Sequence, residues 1–341
     1  MVRTRSVDAK AVALQRTGGL GTFASSLGQE AVSVGAASAV REEDVLLPSF
    51  RGQGAQLWRG VTPLEFFLYW GGDERGSDFA RARADFPVCV PVGSHAPHAI
   101  GVALAFKLRK EKRAAVSIFG DGATSKGYAA EALNIAGVWK LPIVVVVSNN
   151  SWAISMPRHR QSAAQTLALK AIAAGFNGEQ VDGNHVTPVH GAVAAALERA
   201  RSGGGPHLVE ALTYRLCDHT TTDDASRYRD DAEVSRRWPE EPVLRLRRYL
   251  TELDQDRRRA APPGDSGRDH GSRRHLFGDA AASAVVNIRQ HLRQPAGGAR
   301  GAATGRARLQ RFCRSGNEDF QPNRLVRHER GCDGRSVSLC R

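Results

Sequence analysis

No apolar run in this chain is long enough to cross a bilayer. The longest strongly apolar stretch, about residues 141–147, falls far short of the roughly 20 residues that a spanning helix needs. The opening residues, MVRTRSVDAKAVALQR, lack a continuous apolar segment, so no signal peptide is expected. Cysteine is scarce and never forms a CxxC pair. Cys89 and Cys217 lie in the first 250 residues; Cys313, Cys332 and Cys340 lie in the rest. That spacing is no disulfide framework, and a reducing cytoplasm is the expected compartment. Lysine is missing from residues 251–341, which hold 18 Arg and 10 acidic residues and so carry +8 of the net +13. The remaining +5 over 250 residues is unremarkable, so the basic balance is not read as nucleic-acid or lipid binding. Aromatic residues are also few there: only Phe277, Phe312 and Phe320 could stack on bases.

What is present is an ordinary globular composition, 41% apolar and 24% charged, over a length that suits one large α/β domain. Residues 114–119 form a short apolar run that stops at Gly120. Residues 143–147 form another that ends at Asn149 and Asn150. Continuous apolarity of this kind fits strands buried on both faces of a parallel sheet. Between them, Ala132, Ala136 and Trp139 recur at helical spacing within 128–140, completing a βαβ unit. Ala99, Ala103 and Phe106 mark a helix leading into the first of these strands. Further helices are predicted at 166–174 and around Val193, Leu197 and Ala200, followed by a strand at 207–216. The alternation argues for a doubly wound parallel α/β sheet. The character changes near Leu253. Residues 1–252 are expected to form the folded domain. Residues 253–341 read either as a disordered basic tail or as an out-of-frame C-terminus, with one helix at most, around 280–292.

The chemistry is carried by GDGATSKG (120–127) and SNNSWAIS (148–155). Asp121 and Asn150 each sit just past the end of a strand. In parallel α/β sheets ligands bind outside those carboxyl ends, and a right-handed crossover brings both ends to one edge. One carboxylate, one amide oxygen, a backbone carbonyl and two phosphate oxygens would make a chemically sensible Mg²⁺ site. Gly120 and Gly122 allow close backbone approach to a diphosphate. The bland reading of a lone GDG is a turn with a capping Asp; the second strand and its NN weigh against that. Two other phosphate motifs fail: no GxGxxG is suitably placed, and Lys126–Gly127 is in the wrong order for a Walker loop.

GDG followed about 30 residues later by NN resembles the thiamine diphosphate motif. LQRTGGLGTFASSLGQEA (14–31), LPSFRGQGAQLWRG (47–60), EALNIAGVWKLP (131–142), VDGN (181–184) and YRLCDHTTTDDASRYR (214–229) are similar to the alpha subunits of 2-oxo acid dehydrogenases, closest in look to bacterial pyruvate dehydrogenases. The resemblance covers roughly residues 1–250. It implies a thiamine-diphosphate-binding fold and oxidative decarboxylation of a 2-oxo acid, with pyruvate first and branched-chain 2-oxo acids or acetoin as alternatives. The acyl group would pass to a lipoyl-bearing acyltransferase core. It also implies a beta subunit, in a heterotetramer of two alpha and two beta chains, that supplies the glutamate activating the cofactor.

By the same resemblance, Asp121 and Asn150 would bind Mg²⁺ by side chain and Trp152 by its carbonyl. Gly122 and Ala123 would offer backbone to the diphosphate. Phe50 and Arg51 match a Tyr-Arg pair; Arg51 and Arg215 would contact the diphosphate. His219 would stand near the reactive carbon, and Val90 and Val92 would meet the aminopyrimidine. His95 and His98 are read as packing residues, and Thr220–Thr222 as loop residues rather than modification sites. Phe50 lacks the usual hydroxyl, Tyr128 replaces a frequent acidic residue, and His185 stands where Asp is commoner. The chain begins inside the family's first helix, so some tens of residues are expected to be missing, and the end departs from the family's helical C-terminus. Both departures leave open a non-catalytic, degraded alpha subunit.

Overall fold

The computed structural model describes residues 1–260, with side chains to residue 255. Strands β1 (Val45–Leu47), β2 (Ala115–Gly120), β3 (Ile143–Asn149), β6 (Asn177–Asp182) and β7 (His207–Leu212) form one sheet, ordered β1-β2-β3-β7-β6. All four ladders are parallel. Two short strands, β4 (Trp152–Ala153) and β5 (Met156–Pro157), pair antiparallel beside it. The helices are α1 (Val2–Arg16), α2 (Glu30–Ser38), α3 (Gln53–Arg59), α4 (Pro63–Trp70), α5 (His95–Leu108) and α6 (Gly127–Val138). They continue as α7 (Arg158–Gln161), α8 (Leu169–Ala173), α9 (Val186–Arg201), α10 (Asp231–Arg237) and α11 (Pro242–Ala260). The expected doubly wound parallel sheet is the fold. The segment expected around 280–292, and the rest of 261–341, lie outside the described residues. Helix α11 runs through residue 252, where the domain boundary is expected.

Why the strands read as unbroken apolar runs is now plain. Alternate residues face two separate cores. Val145 and Val147 of β3 meet α5, α6 and α8 on one side. Val144 and Val146 meet α2 and α9 on the other. Each such side chain, fully buried, contributes about 1.5–3 kcal/mol. The two crossovers run in opposite directions along the sheet: β2–α6–β3 toward the centre, β6–α9–β7 back from the far edge. Right-handed connections then place α6 and α9 on opposite faces. At the amino edge, buried Asp44 accepts the Ala114 N–H at 2.9 Å and pairs with Arg201.

Three expectations need correction. Trp139 caps α6 and is 47% exposed, not on the buried face; only Ala132 and Ala136 are. The helix expected from 166 starts at Leu169; buried Glu210 takes the Ala168 N–H at 2.9 Å, satisfying a backbone donor at the helix's N-terminus that no helical carbonyl can reach. Strand β7 ends at Leu212, whose ladder partner Asn149 is the last residue of β3; the Thr213 N–H still reaches the Asn149 carbonyl at 2.9 Å, and then the chain leaves the sheet, with Leu216 N–H on the Leu27 carbonyl at 3.3 Å. Among the described residues no helix is long and apolar enough to cross a membrane.

Candidate active site

Register brings the two loops of interest together. Gly120 pairs with Ser148, so β2 and β3 end side by side at the carboxyl edge of the sheet. There a cavity of about 340 Å³ opens. Lining it are Phe50, Arg51, Val92, Asp121, Gly122, Ala123, Asn150, Trp152, Arg215 and His219. Of the site residues expected from sequence, only Val90 is left out. It is 54% exposed, because its segment turns Cys89 and Val92 inward instead; Cys89 takes a hydrogen bond from Ser94 Oγ at 3.1 Å. His95 opens α5, buried, with Nδ1 2.9 Å from the Pro48 carbonyl and its ring near Phe86, a packing role. Thr221 ties its loop to the Phe23 backbone.

After Gly120 the chain makes one tight turn, Asp121–Ser125, before α6. A Cβ at Gly122 would lie 2.9 Å from that of Ala153, so only glycine lets the two loops meet. Asp121 is 1% exposed, and its Oδ2 is buried with no hydrogen-bond partner among the described residues. Burial pushes its carboxyl up to about 6, although backbone N–H groups of Asn150 and Gly122 and the charge of Arg215 pull it down. The paired asparagines divide the work by pointing opposite ways. Asn149 donates to Glu210 at 2.6 Å, under β7. Asn150 faces the cavity, its Oδ1 accepting the Trp152 N–H at 3.1 Å and its Nδ2 donating to Gln29 at 2.8 Å.

The opposite wall is cationic. Arg51 donates to the Ser25 carbonyl at 2.5 Å and to the His219 carbonyl, and Arg215 donates to the Ile154 carbonyl at 2.8 Å and the Tyr228 hydroxyl at 3.1 Å. None of these bonds reaches a carboxylate, and among the described residues the buried Arg215 Nε has no partner. Burial, with the neighbouring Arg215 adding to it, brings Arg51 down to about 10. Both guanidinium groups point at His219 Nδ1, from 2.9 and 3.2 Å. Two such donors require Nδ1 to accept, so the ring proton sits on Nε2. Burial, then the two arginines, push the imidazole down to about 4, and it is neutral at pH 7. Phe50 meets this ring edge-on at 6.1 Å.

A carboxylate oxygen buried without a partner among the described residues, an amide oxygen in the same cavity and two arginines bonded to no carboxylate there suit a hard cation bridging to a polyanion. The sequence argument missed Gln29 and Gln161, which also line the cavity and each keep one buried amide atom without a partner. Gln29 sits inside the quoted LGQEA segment, a signal that could have been used; Gln161 left none.

The fold and cavity define a class: a doubly wound α/β chain with one acid and two arginines buried at the carboxyl edge of its sheet. The profile of the dehydrogenase E1 component family matches residues 1–257. The chain belongs to that family, among the alpha subunits of 2-oxo acid dehydrogenases. It is 45% identical over 250 residues to a Mycobacterium tuberculosis protein named 3-methyl-2-oxobutanoate dehydrogenase subunit alpha, covering 73% of this chain and 68% of that one. The pyruvate dehydrogenase E1 component subunit alpha of Acholeplasma laidlawii is 40% identical over 247 residues, 72% of each chain. That of Staphylococcus aureus is 39% identical over 251 residues, covering 73% of this chain and 68% of the relative. A Mycobacterium smegmatis structure assigned as a thiamin diphosphate-dependent enzyme matches at 20% identity and TM-score 0.38. That match spans 57% of this chain and only 33% of the other.

Proposed function

We propose that this chain is the alpha half of a cytoplasmic α₂β₂ enzyme that oxidatively decarboxylates pyruvate and passes the acyl group to lipoamide on an acyltransferase core. Thiamine diphosphate would be held through Mg²⁺ in the cavity. The observation that carries the reading is the unpartnered, buried Oδ2 of Asp121 facing a wall of two arginines that bond no carboxylate. Bound there, the cofactor supplies a nucleophilic carbon and an electron sink for decarboxylation. The protein's own residues do the rest. Asp121 and Asn150 hold Mg²⁺ by side chain and Trp152 by its carbonyl. Arg51 and Arg215 offset diphosphate charge, and Gly122 and Ala123 present backbone to it. Phe50 and Val92 wall the cavity and exclude water. His219, neutral with its proton on Nε2, offers a bound 2-oxo acid a hydrogen bond without adding a third positive charge.

A second substrate, 3-methyl-2-oxobutanoate, is favoured by the higher identity to the Mycobacterium tuberculosis relative. The test is to reconstitute the chain with a matching beta subunit and measure decarboxylation of both acids with an artificial electron acceptor. A kcat/KM for pyruvate tenfold or more above that for the branched acid is expected, and the reverse ratio would transfer the assignment. No decarboxylation of either would sink the reading.

We further propose that residues 1–252 form the cofactor-side domain, and that residues 253–341 are no part of the cofactor site. A chain ended after residue 260, so that α11 is intact, should bind Mg²⁺ and thiamine diphosphate in the reconstituted complex within about twofold of the full chain. A tenfold loss would contradict the boundary.

A further inference from the structure

We propose that Gln29 is a positioning residue of this site: its carbonyl end fixes the Asn150 amide so that the amide oxygen is presented to the cation, and its N–H end takes an oxygen of the diphosphate. The inference rests on the reading of the cavity as a Mg²⁺–diphosphate site.

Gln29 is placed by its neighbours, not by a helix. It caps the start of α2 from a loop whose preceding residue, Gly28, has φ +91°. A Cβ at Gly28 would lie 2.5 Å from the Tyr214 carbonyl, so the loop is pressed against the segment that carries Arg215 and can only turn there with glycine. Glu30, the next residue, is fully buried; it accepts the Gly28 N–H at 3.1 Å and pairs with Arg5. The loop is therefore anchored on both sides of Gln29, and the side chain, 3% exposed, is aimed inward.

What it meets there is specific. Gln29 Oε1 accepts from Asn150 Nδ2 at 2.8 Å and from Ser148 Oγ at 3.3 Å. With its nitrogen held by Gln29 and its oxygen by the Trp152 N–H, the Asn150 amide has one orientation. A flip would set donor against donor on one side and acceptor against acceptor on the other. A cation accepts only the oxygen, so this orientation is the one a Mg²⁺ ligand requires. That accounts for one end of Gln29. The other end, Nε2, is buried in the wall of the same cavity with no partner among the described residues. A buried amide N–H left without an acceptor is costly, and such groups are rare unless something binds them. The orphan donor of Gln29 and the orphan acceptor of Asp121 line one cavity, and a cation bridged to a phosphate satisfies both.

Two substitutions separate the roles. In the reconstituted alpha-beta complex, titration calorimetry gives the Mg²⁺ affinity at saturating thiamine diphosphate and the thiamine diphosphate affinity at saturating Mg²⁺. The melting temperature of the cofactor-free complex is followed alongside. Gln29→Leu removes both ends, and both affinities should fall about 10–100-fold, the range for groups that orient metal ligands. Gln29→Glu keeps an acceptor for Asn150 but loses the N–H and sets a negative charge toward the phosphates. Mg²⁺ affinity should then stay within about threefold of wild type or tighten, while thiamine diphosphate affinity falls tenfold or more. If both affinities move by the same factor in the two variants, in step with the melting temperature, Gln29 is merely structural and the proposal is overturned. Unchanged affinities in Gln29→Leu would overturn it equally. If the wild-type complex binds no thiamine diphosphate at all, the parent reading fails and takes this one with it.

Discussion

Asp121→Ala is expected to abolish Mg²⁺-dependent binding of thiamine diphosphate, seen by calorimetry as a loss of at least 100-fold in the reconstituted complex. The buried carboxylate is the one acid among the described residues lining the cavity. Without it the cation loses its charged ligand, and a diphosphate beside it carries uncompensated charge worth several kcal/mol. Asp121→Asn should be as damaging to binding, yet it should stabilise the cofactor-free chain. The folded-state carboxyl lies at about 6 against an ordinary value of 3.8. A folded pKa above the unfolded one means that the folded state holds the proton more tightly. Stability from this group is therefore greatest below about pH 4 and is lost as pH rises through 6. Each unit corresponds to about 1.4 kcal/mol, so relief of order 3 kcal/mol is the upper bound at pH 7 for an uncharged isostere. The wild type should also bind its cofactor more weakly below pH 6, because the cation must displace that proton, by up to about tenfold per unit. Unchanged cofactor affinity in Asp121→Ala would remove the metal assignment.

The second large effect concerns partnership. The alpha chain alone should not decarboxylate pyruvate measurably, and a matching beta subunit should raise the rate by about 10²–10⁴-fold or more, the usual worth of a positioned proton-transfer group. With Asp121 assigned to the cation in the proposed reading, the cavity retains no carboxylate among the described residues to activate the cofactor. The resemblance puts that glutamate on the beta chain. Ile154 and Met156, in the cavity wall yet 51% and 44% exposed, leave this side uncovered. Adding a lipoyl-bearing core should then allow acyl transfer. If purified alpha chain decarboxylates pyruvate at a rate that beta does not increase, the two-subunit assignment is wrong.

Much of this was legible in the residues because burial on both faces leaves an unmistakable pattern. The valines of β3 and the apolar run of β2 could only be central parallel strands, and Gly120 and Asn150 marked where they end. Once those ends were placed, Asp121 and Asn150 had to share an edge. The errors fall at the ends of elements, where local pattern does not say how far an element runs. Trp139 fits the helical spacing but falls on a helix end, where the buried face runs out. Residues 166–168 suit a helix, yet α8 begins only at Leu169, with the Ala168 N–H on the Glu210 carboxylate at its N-terminus. Residues 213–216 look like strand, yet beyond the Thr213 N–H the chain leaves the sheet. Gln29 was passed over for a different reason. An amide between two charged sites has no periodicity to betray it, and its importance lies in which atoms remain unbonded, which only coordinates reveal.

Arg5 has a consequence for how the domain comes apart. From the first helix it reaches Glu30, which follows Gln29, and Glu241, whose carboxylate also takes the Val243 and Leu244 N–H groups at the start of α11. One guanidinium thus ties both ends of the described chain to the loop behind the cofactor cavity. Unwinding the first turn of α1 would leave the fully buried Glu30 charge unanswered, and the loop holding Gln29 would loosen with it. Helices α1 and α11 are therefore not free to open as independent units. Their opening belongs to the same cooperative event as the loss of the site, and slow hydrogen exchange in α1 would report on the integrity of a cavity that this helix does not line.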